Sequence, residues 1–170
     1  MSRPPVSAIP GPYYFAFAVY EPLLTTLGFL GTLVDPKGTH DYQAPWPGGT
    51  PPDTLPLATR ITIIQLGHVC ALLGLLNVFM LSTARTHLSA QPALQEKIVS
   101  ALLTPLLIAD VVHLYLTLWA LGDQRWDFKN WGPMLVATVS LGLTLLVPRL
   151  MWHLGIARYV DKRDGNYPKA

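Results

Sequence analysis

Four stretches of the chain stay apolar long enough to cross a bilayer, and the few polar residues inside them recur at helical spacing. About 20 consecutive apolar residues span the hydrocarbon core as a helix. The pattern predicts helices at about 13–34, 58–81, 98–121 and 134–156, so the fold class is an all-α, four-transmembrane-helix bundle forming one membrane domain over residues 1–170.

The third stretch, Ile98–Leu121, reads IVSALLTPLLIADVVHLYLTLWAL. Asp110 lies roughly 18 Å into it at about 1.5 Å per residue. His113 follows three positions later on the same helix face, and Thr117 continues that face. A carboxylate at this depth costs several kcal/mol unless it is paired or faces a polar cavity. The Asp110–His113 pair therefore reads as either a structural clamp or an acid–base device.

The other stretches also carry polar groups inward. In the first, Tyr13, Tyr14 and Phe15 suit an interfacial aromatic belt. Tyr20, Glu21 and Pro22 follow, with Glu21 about 12 Å from the start. Pro22 removes a backbone donor and can bend the helix. Glu21 has two readings: an ion pair with Arg149, or a catalytic carboxyl. In the second stretch Gln65 and His68 share a face and Asn77 lies further along. They read as a cavity wall or as interhelical hydrogen-bonding groups. In the fourth, Ala137, Ser140, Gly142 and Thr144 favour close helix packing. Arg149 near its end either snorkels or clamps a carboxylate.

The connections differ in character. A Pro-rich lead, residues 1–12, reads as extended or interfacial. Residues 35–57 read as a long irregular loop anchored by Tyr42 and Trp46, either a lid or a plain surface connection. Residues 82–97 read as a polar connector with a helical turn before Ile98. Residues 122–133 carry Trp126 and Trp131 as interfacial anchors, with Asp123 and Asp127 solvated.

Composition narrows the picture. Of 170 residues 51% are hydrophobic and only 13% charged, which does not suit a soluble domain. A net charge of +2 gives no basic surface for nucleic acid. The lone Cys70 excludes a disulfide framework or zinc cluster. The proline-rich start lacks a signal-peptide layout, so the first hydrophobic stretch is expected to persist. Four helices put both termini on one side with Arg3, Arg85, Lys97, Arg158, Lys162, Arg163 and Lys169. Lys37, Arg60, Arg125 and Lys129 belong to the other. The positive-inside rule then places both termini in the cytoplasm.

The chain has no GxSxG, HExxH or Walker-type glycine loop. Two histidines and two acids scattered over three helices lack metal-ligand spacing, so no metal is expected. What remains is a cavity lined by Glu21, Asp110, His113 and His68, with Gln65, Asn77, Tyr20 and Trp131 as further candidates to bind substrate.

The pattern YYFAFAVYEPLLTTLGFLG, then QLGHV, LLIADVVHLYLTLWALG, NWG and a final Arg149 resembles a group of small fungal four-helix membrane proteins of polyketide and terpenoid pathways. That group includes the membrane epoxide hydrolases of the aurovertin and citreoviridin type. A more distant topological likeness is to the emopamil-binding and sterol-isomerase group. The resemblance implies cofactor-free opening of a lipophilic epoxide by water or an internal hydroxyl in a multi-pass protein of the endoplasmic reticulum. It implies Asp110 as general base oriented by His113, Glu21 as general acid, and His68 with Gln65 positioning water or the oxyanion. The two carboxyls can exchange roles. A terpenoid-type isomerase or cyclase would use the same acids. A non-catalytic protein binding lipid or a partner would use Glu21–Arg149 and Asp110–His68 as clamps, with the small residues of the fourth helix as an interface. Oligomeric state stays open.

Overall fold

The computed structural model describes residues 7–46 and 48–165. Among them the chain is all-α. Four helices are long and apolar enough to cross a membrane: α1 (Gly11–Val34), α3 (Leu57–His87), α4 (Pro92–Ala120) and α5 (Pro133–His153). Two short helices, α2 (Pro36–Asp41) and α6 (Asp161–Asp164), follow α1 and α5 respectively. Arg3 and Lys169, counted above in the charge bias, lie outside the described residues.

The helices overrun the apolar stretches. Ser82–His87 continues α3, and Pro92–Lys97 opens α4. The expected connector 82–97 thus shrinks to residues 88–91. The edge of an apolar run marks the change of solvent; the helix itself ends where the hydrogen-bond ladder ends. Here the ladder runs through Ala84 and Arg85, both good helix formers, and restarts at Pro92 in the first-turn position that proline favours. The irregular loop expected at 35–57 contains α2. Asp35 caps it by accepting from the Gly38 N–H at 2.8 Å, and Pro36 occupies its first turn.

α1 packs chiefly on α3, and α4 on α5; α3 also meets α4. The α1–α3 contact is close because α3 offers glycine where α1 crosses it. A Cβ on Gly74 would lie 2.3 Å from Thr25 Oγ1 and 3.0 Å from Pro22 Cα, and one on Gly67 would lie 2.7 Å from Thr32 Oγ1. Buried Ala71 lies between them on the same helix. The close-packing surface foreseen on the fourth helix is thus most pronounced on the second. A Cβ on Gly142 of α5 would lie 3.1 Å from Leu114 Cδ2, a less tight approach. Small residues matter because lipid is as apolar as leucine, so helices associate through contact and polar bonds more than through exclusion of water.

The buried core lies at the end of the bundle where the chain's two described ends meet. Ile9, Tyr13, Phe17, Leu81, Val99, Leu103 and Trp152 form it. Ala8 and Ile9 of the lead are fully buried there; its first six residues lie outside the described ones. Trp152 Nε1 donates to Ala8 O at 2.8 Å, and Tyr159 N to Ser7 O at 2.9 Å. Gln95 sews this end together. Its Oε1 accepts from Ser7 Oγ and Ala8 N at 2.9 and 2.8 Å, and its Nε2 donates to Ala84 O at 2.9 Å. Buried Arg158 stacks on Trp152, 3.9 Å from the ring centroid, and donates to Trp152 O, Tyr159 O and Glu96 Oε1, each at 2.6 Å.

Candidate functional site

Every long helix brings one polar side chain to a common cluster. Arg149 of α5 is its centre and is 0% exposed. Its Nη2 donates to Glu21 Oε2 of α1 at 2.5 Å. Its Nη1 donates to Asp110 Oδ2 of α4. Asn77 of α3, also buried, sits beside Glu21. The guanidinium lies 5.5 Å from the centre of the Phe17 ring, within cation–π range. A guanidinium suits this place because its planar fork binds two carboxylates at once.

The local sequence of α1 positions Glu21. Residues Ala16–Tyr20 form a π-helical turn, closed by the Glu21 N–H on Ala16 O. Pro22 has no N–H to continue the ladder. The wider turn accommodates this irregularity and sets the rotation of all that follows; such turns recur at functional sites.

The cluster is incompletely bonded. Neither the nitrogen nor the oxygen of the Asn77 amide has a well-formed hydrogen bond, and Arg149 Nε has none. Buried polar atoms left in this condition are costly and uncommon. The charge is also unbalanced: two carboxyls share one guanidinium.

The structure joins Glu21, Asp110 and Asn77 around Arg149; His113 stays within electrostatic reach of Asp110 without bonding it, and the other candidates lie outside. His113 is exposed on α4, with its carbonyl accepting from Thr117 Oγ1 at 2.8 Å. Asp110 has Arg149 as its ion-pair partner, in place of the His113 or His68 considered above. Arg149 does not snorkel. Gln65 and His68 are exposed on α3, where the His68 ring meets Phe29 edge-on at 5.8 Å. Tyr20 bonds Thr144 Oγ1 at 3.0 Å and ties α1 to α5. Trp131 donates to Gln124 O at 3.1 Å and packs 4.9 Å from the Phe128 ring. Among the described residues no group of three or more histidine, cysteine, aspartate or glutamate side chains is placed to hold a metal.

The sequence leaves Arg149 as either a snorkelling side chain or a clamp on one carboxylate; its place at the centre, on two carboxyls, is the missed feature. The signal was an arginine inside an apolar run, LLVPRLMW, which the membrane tolerates only when it is paired. Phe17, Gln95 and Arg158 carried no such signal.

A second polar region lies at the opposite end. A cavity of about 840 Å³ is lined by Lys37, Asp41, Tyr42, Trp46, Gln124 and Asp127, among others. Asp41 accepts from Lys37 Nζ and pairs with His40 Nδ1 at 2.9 Å; the His40 bond first, then Lys37, holds its carboxyl below the usual range. Trp46 Nε1 donates to Asp41 O at 2.8 Å, and Leu135 N to Tyr42 O at 3.1 Å, which fixes this loop against the start of α5.

A multi-helix membrane domain with one buried arginine–carboxylate cluster is what fold and site define. The chain belongs to the family described as a domain of unknown function, DUF7704, which it matches over residues 6–159. No curated protein and no solved structure matches it.

Proposed function

We propose that the protein is a membrane-embedded acid–base catalyst for a lipophilic small molecule, with the Glu21–Arg149–Asp110 cluster as its reacting centre. One observation carries this reading: a buried carboxyl, Glu21, and a partly buried one, Asp110, share a single guanidinium. A membrane interior tolerates the leftover carboxyl best as a neutral acid. One ionised and one protonated carboxyl in the same cluster form an acid–base pair. Asp110 is the more accessible, with 16% of its side chain exposed against 8% for Glu21. Asn77 Nδ2, beside Glu21, and Arg149 Nε are buried donors without a well-formed hydrogen bond, and they would serve an oxygen that develops negative charge.

The resemblance supplies the finer reading, epoxide opening in fungal secondary metabolism at the endoplasmic reticulum. Asp110 takes a proton from water as the water oxygen bonds an epoxide carbon. The carbon–oxygen bond of the ring breaks, and Glu21 gives its proton to the released oxygen. Arg149 orients both carboxyls, the part first assigned to His113 for Asp110. Membranes containing the protein are to be incubated with a lipophilic terpenoid or polyketide epoxide in heavy-oxygen water, beside an Asp110→Asn control. Labelled diol from the wild type alone supports the scheme; full activity of Asp110→Asn sinks it. Unlabelled cyclic product points to an internal nucleophile.

A second reading has its own observation. Arg149 is fully buried and bonds two helices at once, as a purely structural clamp would. On that reading Asp110→Asn lowers thermal stability and changes no product.

A further inference from the structure

A groove of about 510 Å³ opens beside the start of α4, between that helix and the segment entering α6, at the end where Ser7 meets Tyr159. We propose that it is a headgroup site for an anionic glycerophospholipid, with Lys97 and Lys162 on the phosphate. This site is separate from the arginine cluster.

Charge is the first argument. The groove's acids are Glu96 and Asp161. Glu96 Oε1 accepts from Arg158 Nη1 and its Oε2 from Asp161 N, at 2.6 and 2.7 Å. Asp161 Oδ1 accepts from Tyr159 Oη at 2.8 Å. The Tyr159 hydroxyl is pushed up to about 12, by burial first and then by the Asp161 acceptor and nearby carboxylates, so it remains a donor. Among the described residues neither lysine has a carboxylate partner. With Arg158 counted, three cations face two acids, leaving one positive charge for an anion.

Position is the second. Lys97 stands where α4 passes from QEK to the apolar run IVSALL, the depth of a lipid headgroup. Ser100 and Thr104 line the groove one and two turns on, their hydroxyls 3.4 Å apart, and Thr104 Oγ1 contacts His153 Nε2 at 3.1 Å. Beyond Ala101 and Thr104 the same face continues into Ile108 and Val111, which are 60% and 51% exposed. A cationic, hydroxylated head above an open apolar track is the complement of one phosphate carrying an acyl chain. Basic pockets beside membrane helices take lipid headgroups in this way.

The test uses the full chain in neutral detergent. Binding of phosphatidylserine and of phosphatidylcholine is measured by native mass spectrometry and thermal unfolding, with inorganic phosphate as a third ligand. Phosphatidylserine is expected to bind more tightly than phosphatidylcholine, and Lys97→Gln/Lys162→Gln to weaken it by about tenfold or more. Both lysines are exposed, so the variant folds. Lys129→Gln, at the other end, is expected to change nothing. Equal binding of the two lipids by the wild type overturns the proposal. So does a preference that survives in the double variant, or stabilisation by inorganic phosphate that equals that by phosphatidylserine.

Discussion

The two ends of the bundle are held by different means. Where the two described ends of the chain meet, large apolar side chains are buried and the polar groups beneath them are bonded: Gln95 makes three hydrogen bonds, and Arg158 makes three more beside its stack on Trp152. Toward the other end Gln65, His68 and His113 face outward with most of the leucines around them. There the contact rests on Gly67 and Gly74 of α3 against α1. The arginine cluster joins the two regions. In a chain this apolar, hydrophobicity does not say which residue is inside. Polar bonding and side-chain volume do.

The largest effect is expected at the cluster itself. Arg149→Met leaves two carboxyls without a partner and should cost about 3–5 kcal/mol, or prevent folding. Combining it with Glu21→Gln and Asp110→Asn removes the stranded charges and should restore most of the thermal stability. Unfolding temperatures in detergent decide the matter; a triple variant no more stable than Arg149→Met would show that charge pairing is not what the cluster contributes.

Next comes the contrast between two glutamines. Gln95→Ala strips partners from buried groups and should cost roughly 2–3 kcal/mol. Gln65→Ala, on the outward face, should stay within about 0.5 kcal/mol. Equal losses in denaturant titration would erase the distinction between the ends.

The smallest contrast is between two glycines. Gly74→Ala drives a methyl against Thr25 and the Pro22 backbone and should cost about 1–2 kcal/mol. Gly142→Ala meets only the end of the Leu114 side chain, which can rotate away, and should cost under about 1 kcal/mol. The reverse order, read from unfolding midpoints, would place the tight helix contact on α5 instead of α3.

Most of the bundle was legible in the chain. Apolar run length marked the four helices because the bilayer sets that length; the starts given by Asp35–Pro36 and Pro92 emerged only in the structure. Helix ends were misjudged at Ser82–His87 and Pro92–Lys97 because hydropathy reports the solvent around a helix and says nothing of its hydrogen bonds. Of the site, Glu21 and Asp110 stood out because an acid in an apolar stretch has few explanations, and a Glu21–Arg149 pair could be named from composition and depth.

What the sequence determined by itself is therefore the set of polar residues that must find partners inside the bundle. Which partners they found was decided by the tertiary structure. His113 is three residues from Asp110 and shares its face, yet Asp110 bonds an arginine on another helix. Spacing along one helix sets what a side chain can reach locally. The rotation of each helix against the others sets what it meets, and that rotation follows from the π turn before Glu21, the glycines of α3 and the bonded terminal end.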